Sequence, residues 1–189
     1  MPGDAQAGAR RLRQRHPGAP VVTYVNTSAE VKAASDICWT SANAVKVIES
    51  VGAPRVIMIP DEFLARNVAA QTRVEIIPWR GRCEVHELVT AADIRELREA
   101  HPGATVLAHP ECSPEVVAET DFAGSTAEMI RYVGTKRPAR VALVTECSMS
   151  DNVAVQYPDV EFLQPRAFVP AYEAHHALQD PPRAGNDGG

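Results

Sequence analysis

The chain has 189 residues, 45% of them hydrophobic, with a net charge of −5. That length fits one large domain or two small ones, and the mild negative charge argues against a nucleic-acid partner. No run reaches the roughly 18 apolar residues of a membrane span, and the basic N-terminus is followed by no apolar core. The expectation is therefore a cytoplasmic protein with reduced thiols. Cys38, Cys83, Cys112 and Cys147 form no CxxC pair, so spacing alone announces no metal site, and each reads first as a small buried hydrophobe.

In chain order, residues 4–15 are Ala- and Arg-rich and read as a helix ended by Pro17-Gly18. Val21 to Val25 reads as a buried strand. Asn26-Thr27-Ser28 is a turn, with Ser28 capping a helix to about Ala34. Asp36 to Trp39 is a short strand. Thr40-Ser41 caps a helix through Ser50, with Ala44, Val45 and Ile48 on one face, and Gly52 and Pro54 stop it. Arg55 to Ile59 is a strand, Glu62 to Gln71 a helix and Val74 to Pro78 a strand. The loop from Trp79 delivers Cys83 and His86. Residues 91–100 form an amphipathic helix capped by Thr90.

Residues 16–61 then recur as residues 101–146, at an offset of 85 without a gap and with thirteen identities. Strand, turn and cap positions all repeat. The chain is thus expected to be α/β, with two homologous three-layer α/β/α units built on parallel sheets. The divisions are 1–15 as a lead-in helix, 16–100 and 101–165 as the two units, and 166–189 as a divergent Pro/Gly/Asp-rich tail expected to be disordered. In such sheets ligands sit beyond the carboxyl ends of the strands and at helix starts. One copy offers Tyr24, Asn26 and Thr40-Ser41 there, and the other His109, Glu111 and Ser125-Thr126. If the copies face each other, these residues line one cleft for a small carboxylate or phosphate, with His109 and Glu111 as an acid–base pair.

Several segments carry a family resemblance. They are Tyr24 to Ala33, Thr40 to Val45, Cys83-Glu84-Val85-His86-Glu87, His109-Pro110-Glu111-Cys112, Gly124-Ser125-Thr126, and Thr145 to Asn152. Through them the chain resembles quinolinate synthase, the A protein of de novo NAD biosynthesis, over residues 15–165. The resemblance implies three homologous α/β domains around a pseudo-threefold axis, of which this chain would hold two. It implies condensation of iminoaspartate with dihydroxyacetone phosphate to quinolinate, with loss of phosphate and water. It also implies a [4Fe-4S] cluster, held by one cysteine per domain and acting as a Lewis acid. Tyr24, Asn26, Ser41, His109, Glu111 and Thr126 would bind the dicarboxylate. Glu111 would be the general base and Cys83 a cluster ligand. The iminoaspartate-producing oxidase is a conceivable partner.

The chain also departs from the family pattern. The family's first domain, with its cluster cysteine, has no counterpart here, and a separately encoded domain could supply it. After Phe162-Leu163 the family reads Arg-Pro-Cys-Asn-Leu-Cys-Pro-His-Met-Lys-Arg-Ile-Thr-Leu, where this chain reads Gln164 to Leu178 without cysteine. If Val169 to Leu178 were encoded GTG CCC GCA TAT GAA GCG CAT CAC GCT C, reading one base later would restore Cys-Pro-His-Met-Lys-Arg-Ile-Thr-Leu. A tail translated out of frame from about Arg166 is the expectation, and sequencing the gene checks it. One cluster cysteine of three is left, so the expectation is a chain that alone binds no stable cluster and has little or no synthase activity. The alternatives are a non-catalytic dicarboxylate-binding module and one half of a split enzyme.

Overall fold

The computed structural model describes residues 2–145 and 147–164. Two four-stranded parallel sheets organise them. The first unit comprises α1 (Pro2–Arg15), β1 (Val21–Tyr24), α2 (Ala29–Ala33), β2 (Ile37–Trp39), α3 (Ala44–Ser50), β3 (Arg55–Ile59), α4 (Glu62–Ala69) and β4 (Glu75–Pro78). A single-turn helix α5 (Glu84–Glu87) and α6 (Ala91–Ala100) follow. The second sheet is built from β5 (Thr105–Ala108), α7 (Pro114–Ala118), β6 (Phe122–Ala123), α8 (Thr126–Lys136), β7 (Arg140–Val144), α9 (Cys147–Gln156) and β8 (Glu161–Leu163). The strand orders are β2-β1-β3-β4 and β6-β5-β7-β8, the same topology twice.

The repeat is physical as well as textual. In each copy the His-Pro-Gly-Ala tetrapeptide makes a turn, with Ala19 N donating to His16 O and Ala104 N to His101 O. Gly18 and Gly103 both sit at φ +82, a conformation only glycine adopts without cost. Ser28 Oγ accepts from Val31 N and Ser113 Oγ from Val116 N. Asp36 Oδ2 accepts from Val21 N at 2.7 Å and Asp121 Oδ2 from Val106 N at 2.8 Å, so each aspartate satisfies the first donor of a central strand. The match extends upstream of the turn, because Arg13 pairs with Asp36 as Arg98 pairs with Asp121. The helix before each copy thus packs on the sheet that follows it. Ala9 joins the core of the first sheet, and Ile94 and Leu97 that of the second.

Both faces of each sheet are covered, as the near-continuous apolar strands require. Along β3, Val56 and Met58 face α3 and α4, while Ile57 and Ile59 face the α1–α2 layer. Along β7, Ala142 and Val144 face the α6–α7 layer, while Val141 and Leu143 face α8 and α9. Each unit is therefore α/β/α in three layers. No helix among the described residues is long and apolar enough to cross a membrane.

Two local expectations fail. The helix expected from Thr40-Ser41 begins only at Ala44. Asn43 has non-helical φ −128, and its carboxamide oxygen accepts from both Thr40 N and Thr40 Oγ1. Asparagine side chains compete in this way with helical backbone bonds, holding the turn open. Cys38, expected to be buried, is exposed on edge strand β2, while Cys112 is fully buried as expected. The tail 166–189 and the side chain of Cys147 lie outside the described residues.

Candidate functional site

The carboxyl ends of the strands bring the two units together. After β5 the chain folds back on itself, with Cys112 N donating to His109 O, which aims His109 and Glu111 toward the first unit. Asn67 on α4 holds this loop, its amide donating to Pro110 O at 2.8 Å and Cys112 O at 2.9 Å. After β3, buried Asp61 caps α4 by accepting from Leu64 N. Its second oxygen accepts from Cys83 N at 2.9 Å, which fixes the loop that carries Cys83 and His86. Those two residues lie three apart on one short helical turn and so share a face.

The result is a cluster at the junction. His86 Nδ1 lies 3.1 Å from Glu111 Oε2, and His109 Nδ1 lies 3.5 Å from the same oxygen. The two imidazoles stack, with centroids 5.1 Å apart and planes 21° from parallel. One ligand atom each of Cys83, His86 and Glu111 falls within 4.8 Å of the others. Contact is close but poorly aligned, since neither ring nitrogen of buried His86 has a hydrogen bond of good geometry. Tyr24 adjoins the cluster from the first unit, near enough for Glu111 and Cys83 to act on its phenol, and it hydrogen-bonds Ser41.

Burial and charge divide the protons. His86 is buried, which opposes its charge, but Cys83 and Glu111 together push it up to about 9. Burial takes His109 down to about 4 despite Glu111. Burial also favours a neutral Glu111, yet the two histidines hold it below the ordinary carboxylate range. Near neutral pH the cluster is therefore an imidazolium on His86, a carboxylate on Glu111 and a neutral imidazole on His109. Contact with His86 outweighs burial at Cys83 and lowers its thiol. Burial lifts Asp61 to about 6 against its two backbone donors. The Tyr24 phenol is raised, chiefly by burial.

The structure thus gathers Tyr24, Ser41, Cys83, His109 and Glu111. Asn26 is exposed in the turn after β1, and Thr126 is exposed at the first residue of α8. A cleft between the units runs from Ser41 past Asn67 and Pro110 to Gly124, so the loops before α3 and α8 do face each other. Three residues of the site were not among the sequence candidates. His86 was named on the loop from Trp79 and within the Cys83-Glu84-Val85-His86-Glu87 segment, without a role. Asp61 read only as part of the Pro60-Asp61 turn, and Asn67 was signalled by nothing local, because its partners lie more than forty residues away.

The donor set also tests the fit of an iron–sulfur cluster, whose usual ligands are three or four thiolates. Among the described residues Cys83 is the one cysteine at the site. Cys38 is exposed on β2, and Cys112 is sealed with its thiol toward Val144 O and pushed up to about 12 by burial. The described residues alone do not fit such a cluster.

Comparison with known proteins gives a consistent picture. Residues 5–177 match the family model described as quinolinate synthetase A protein. The chain is 74% identical over 156 residues to quinolinate synthase 1 of Mesorhizobium japonicum, covering 82% of this chain and 48% of that protein. It is 72% identical over 154 residues to quinolinate synthase of Agrobacterium fabrum, covering 82% and 45%. It is 71% identical over 152 residues to quinolinate synthase of Xylella fastidiosa, covering 80% and 45%. The chain spans about half the length of the curated relatives it matches.

Proposed function

The chain belongs to the quinolinate synthetase A protein family, and from that premise we propose that it provides the dicarboxylate-binding and proton-transfer part of quinolinate synthesis in NAD biosynthesis. The observation that carries this reading is the Glu111 carboxylate, held between His86 at 3.1 Å and His109 at 3.5 Å where two matched α/β units meet.

In this reading iminoaspartate lies in the cleft between the units. Tyr24 and Ser41 offer hydroxyl donors to one carboxylate, and Asn26 and Thr126 complete the grip from either rim. The His86 imidazolium supplies positive charge beside the dianion and keeps Glu111 ionised. Glu111 takes the proton released as the condensation with dihydroxyacetone phosphate proceeds, in the manner of a positioned general base. Glu111, once protonated, can return that proton to the departing hydroxyl, which neutral His109 orients by donating a hydrogen bond from its ring N–H. The family's cluster would supply Lewis-acid polarisation for the dehydration. Cys83 is the residue of this chain suited to bind it, and the other thiolates would have to come from outside the described residues. A cytoplasmic setting, which keeps Cys83 reduced, suits this chemistry.

The lone site cysteine favours a second reading, in which this chain by itself binds a dicarboxylate without turning it over. Anaerobic reconstitution of the full chain with iron and sulfide, followed by absorbance and a quinolinate assay, tests whether the chain can work alone. The expected result is no stoichiometric cluster and no turnover. A full cluster with quinolinate formed would show that the chain is a complete synthase. Calorimetric titration with malate tests the shared part of both readings. One bound malate per chain is expected, and no binding at millimolar malate would contradict them.

A further inference from the structure

We propose that Trp39 is a positioning residue, whose ring holds the Tyr24 phenol against Ser41 in the orientation that grips a ligand carboxylate. The inference rests on the dicarboxylate reading of the cleft and adds to it a residue of the apolar core.

Tyr24 and Trp39 end neighbouring parallel strands in matched register, so their side chains leave the sheet on one face. The ring centroids are 5.1 Å apart and the planes tilted by 43°, an attractive arrangement for two aromatic rings. Trp39 is 1% exposed, within the core that α3 and α4 close over β1 and β3, and Tyr24 packs against that core. The Trp39 carbonyl accepts from Val25 N at 2.9 Å, which ties down the residue after Tyr24. Two residues on from Trp39, Ser41 bonds the phenol. Burial, above all, raises the Tyr24 pKa, so near neutral pH the phenol keeps a proton to donate.

The second unit shows the same need met differently. At the offset of 85, Tyr24 corresponds to His109 and Trp39 to Gly124. A Cβ on Gly124 would meet the Phe122 ring at 2.6 Å, so a side chain there would displace that ring. His109 takes its ring contact from His86 instead, again with centroids 5.1 Å apart. Each unit thus ends its first strand with a ligand group held by a second ring, from its own sheet in one copy and from the neighbouring unit in the other. The Trp39 indole N–H is buried and has no acceptor among the described residues. What Trp39 contributes is therefore ring surface, and a phenylalanine can stand in for it.

Calorimetric titration of malate into wild type, Trp39→Phe, Trp39→Leu, Tyr24→Phe and the Tyr24→Phe/Trp39→Leu double variant tests this, with circular dichroism verifying each fold. Trp39→Met takes the place of Trp39→Leu if the latter does not fold. Both Trp39 variants lose stability, but malate binding should weaken about fivefold or more in Trp39→Leu and stay within about twofold of wild type in Trp39→Phe. In the double variant Trp39→Leu should add nothing to Tyr24→Phe, because it acts through the phenol. Equal weakening in Trp39→Phe and Trp39→Leu, unchanged affinity in both, or full additivity in the double variant overturns the proposal. Acetylation of Tyr24 by N-acetylimidazole tests the positioning without a ligand, read by mass on the tryptic peptide 16–32, where Tyr24 is the one tyrosine. It should be several-fold faster in Trp39→Leu than in wild type or Trp39→Phe, and equal rates in all three overturn the proposal. A wild-type chain that binds no malate contradicts the proposed function, while the acetylation rates still decide the role of Trp39.

Discussion

The two α/β units share a topology but end their strands differently. In the second unit the loop from His109 to Cys112 is folded in and covered, because Asn67 on α4 and His86 on α5 reach over it from the first unit. The matching loop of the first unit, Tyr24 to Ser28, has Val25 and Asn26 exposed. All the strongest charge perturbations lie on the covered side. His109, Glu111, His86, Cys83 and Asp61 are shifted by one another and by burial. A duplicated scaffold thus becomes a site only where one copy buries the loop of the other.

The helix starts diverge as well. Ser125 and Glu128 form a complete capping box, and α8 begins at once. Thr40 and Asn43 occupy the same repeat positions, but Asn43 leaves α3 to start at Ala44. The opened turn lets Ser41 bond Tyr24. The first copy has given up a regular helix start and gained a polar wall for the cleft.

Substitutions can break or sharpen this comparison. The largest effect is expected from Ile57→Ala, which writes into the first sheet the residue that its partner sheet carries as Ala142. Ile57 is fully buried against the α1–α2 layer, so the cavity should lower stability by about 2–5 kcal/mol in urea unfolding. A loss well under that range would mean that the two outer layers pack interchangeably. Asn67→Ala should come next. Two loop carbonyls lose their donor, at about 1–3 kcal/mol, and malate affinity should fall with stability. Affinity unchanged in a destabilised variant would show that the covered loop is not part of the binding site.

Smaller still, Ser125→Ala removes a true cap and should cost about 1 kcal/mol. Thr40→Ala, where the helix has already withdrawn, should cost distinctly less. Equal losses by thermal denaturation would contradict the divergence of the two starts. The smallest difference is expected between Arg13→Ala and Arg98→Ala. Exposed ion pairs are worth about 0–1 kcal/mol. Arg98 also donates to the carbonyls of Glu119 and Ala104, so it should be the more costly of the two.

Much of the fold was legible because the repeat preserved the residues that have no substitute. Pro-Gly turns, Ser28 and Ser113 caps, and the Asp36 and Asp121 carboxylates fix where each strand begins, whatever the apolar residues between them. The start of α3 was misread because Thr40-Ser41 resembles Ser125-Thr126. The deciding residue is the third one on, Asn43 against Glu128. Cys38 was misread because a short edge strand carries side chains on faces that its apolar neighbours do not cover. At the site, the residues on strand ends could be placed from periodicity alone. His86 and Asn67 could not, since their roles depend on how two units dock, and nothing within a few residues of either encodes that.

The central claim is that residues from matched positions of the two units act on one ligand. Calorimetric titration of malate into the wild-type chain, Tyr24→Phe and His109→Ala tests it most directly. Each substitution removes one hydrogen bond to a charged ligand from a different unit, so each should weaken binding by about tenfold or more. Malate affinity that is unchanged in both variants, with both still folded, would contradict the account.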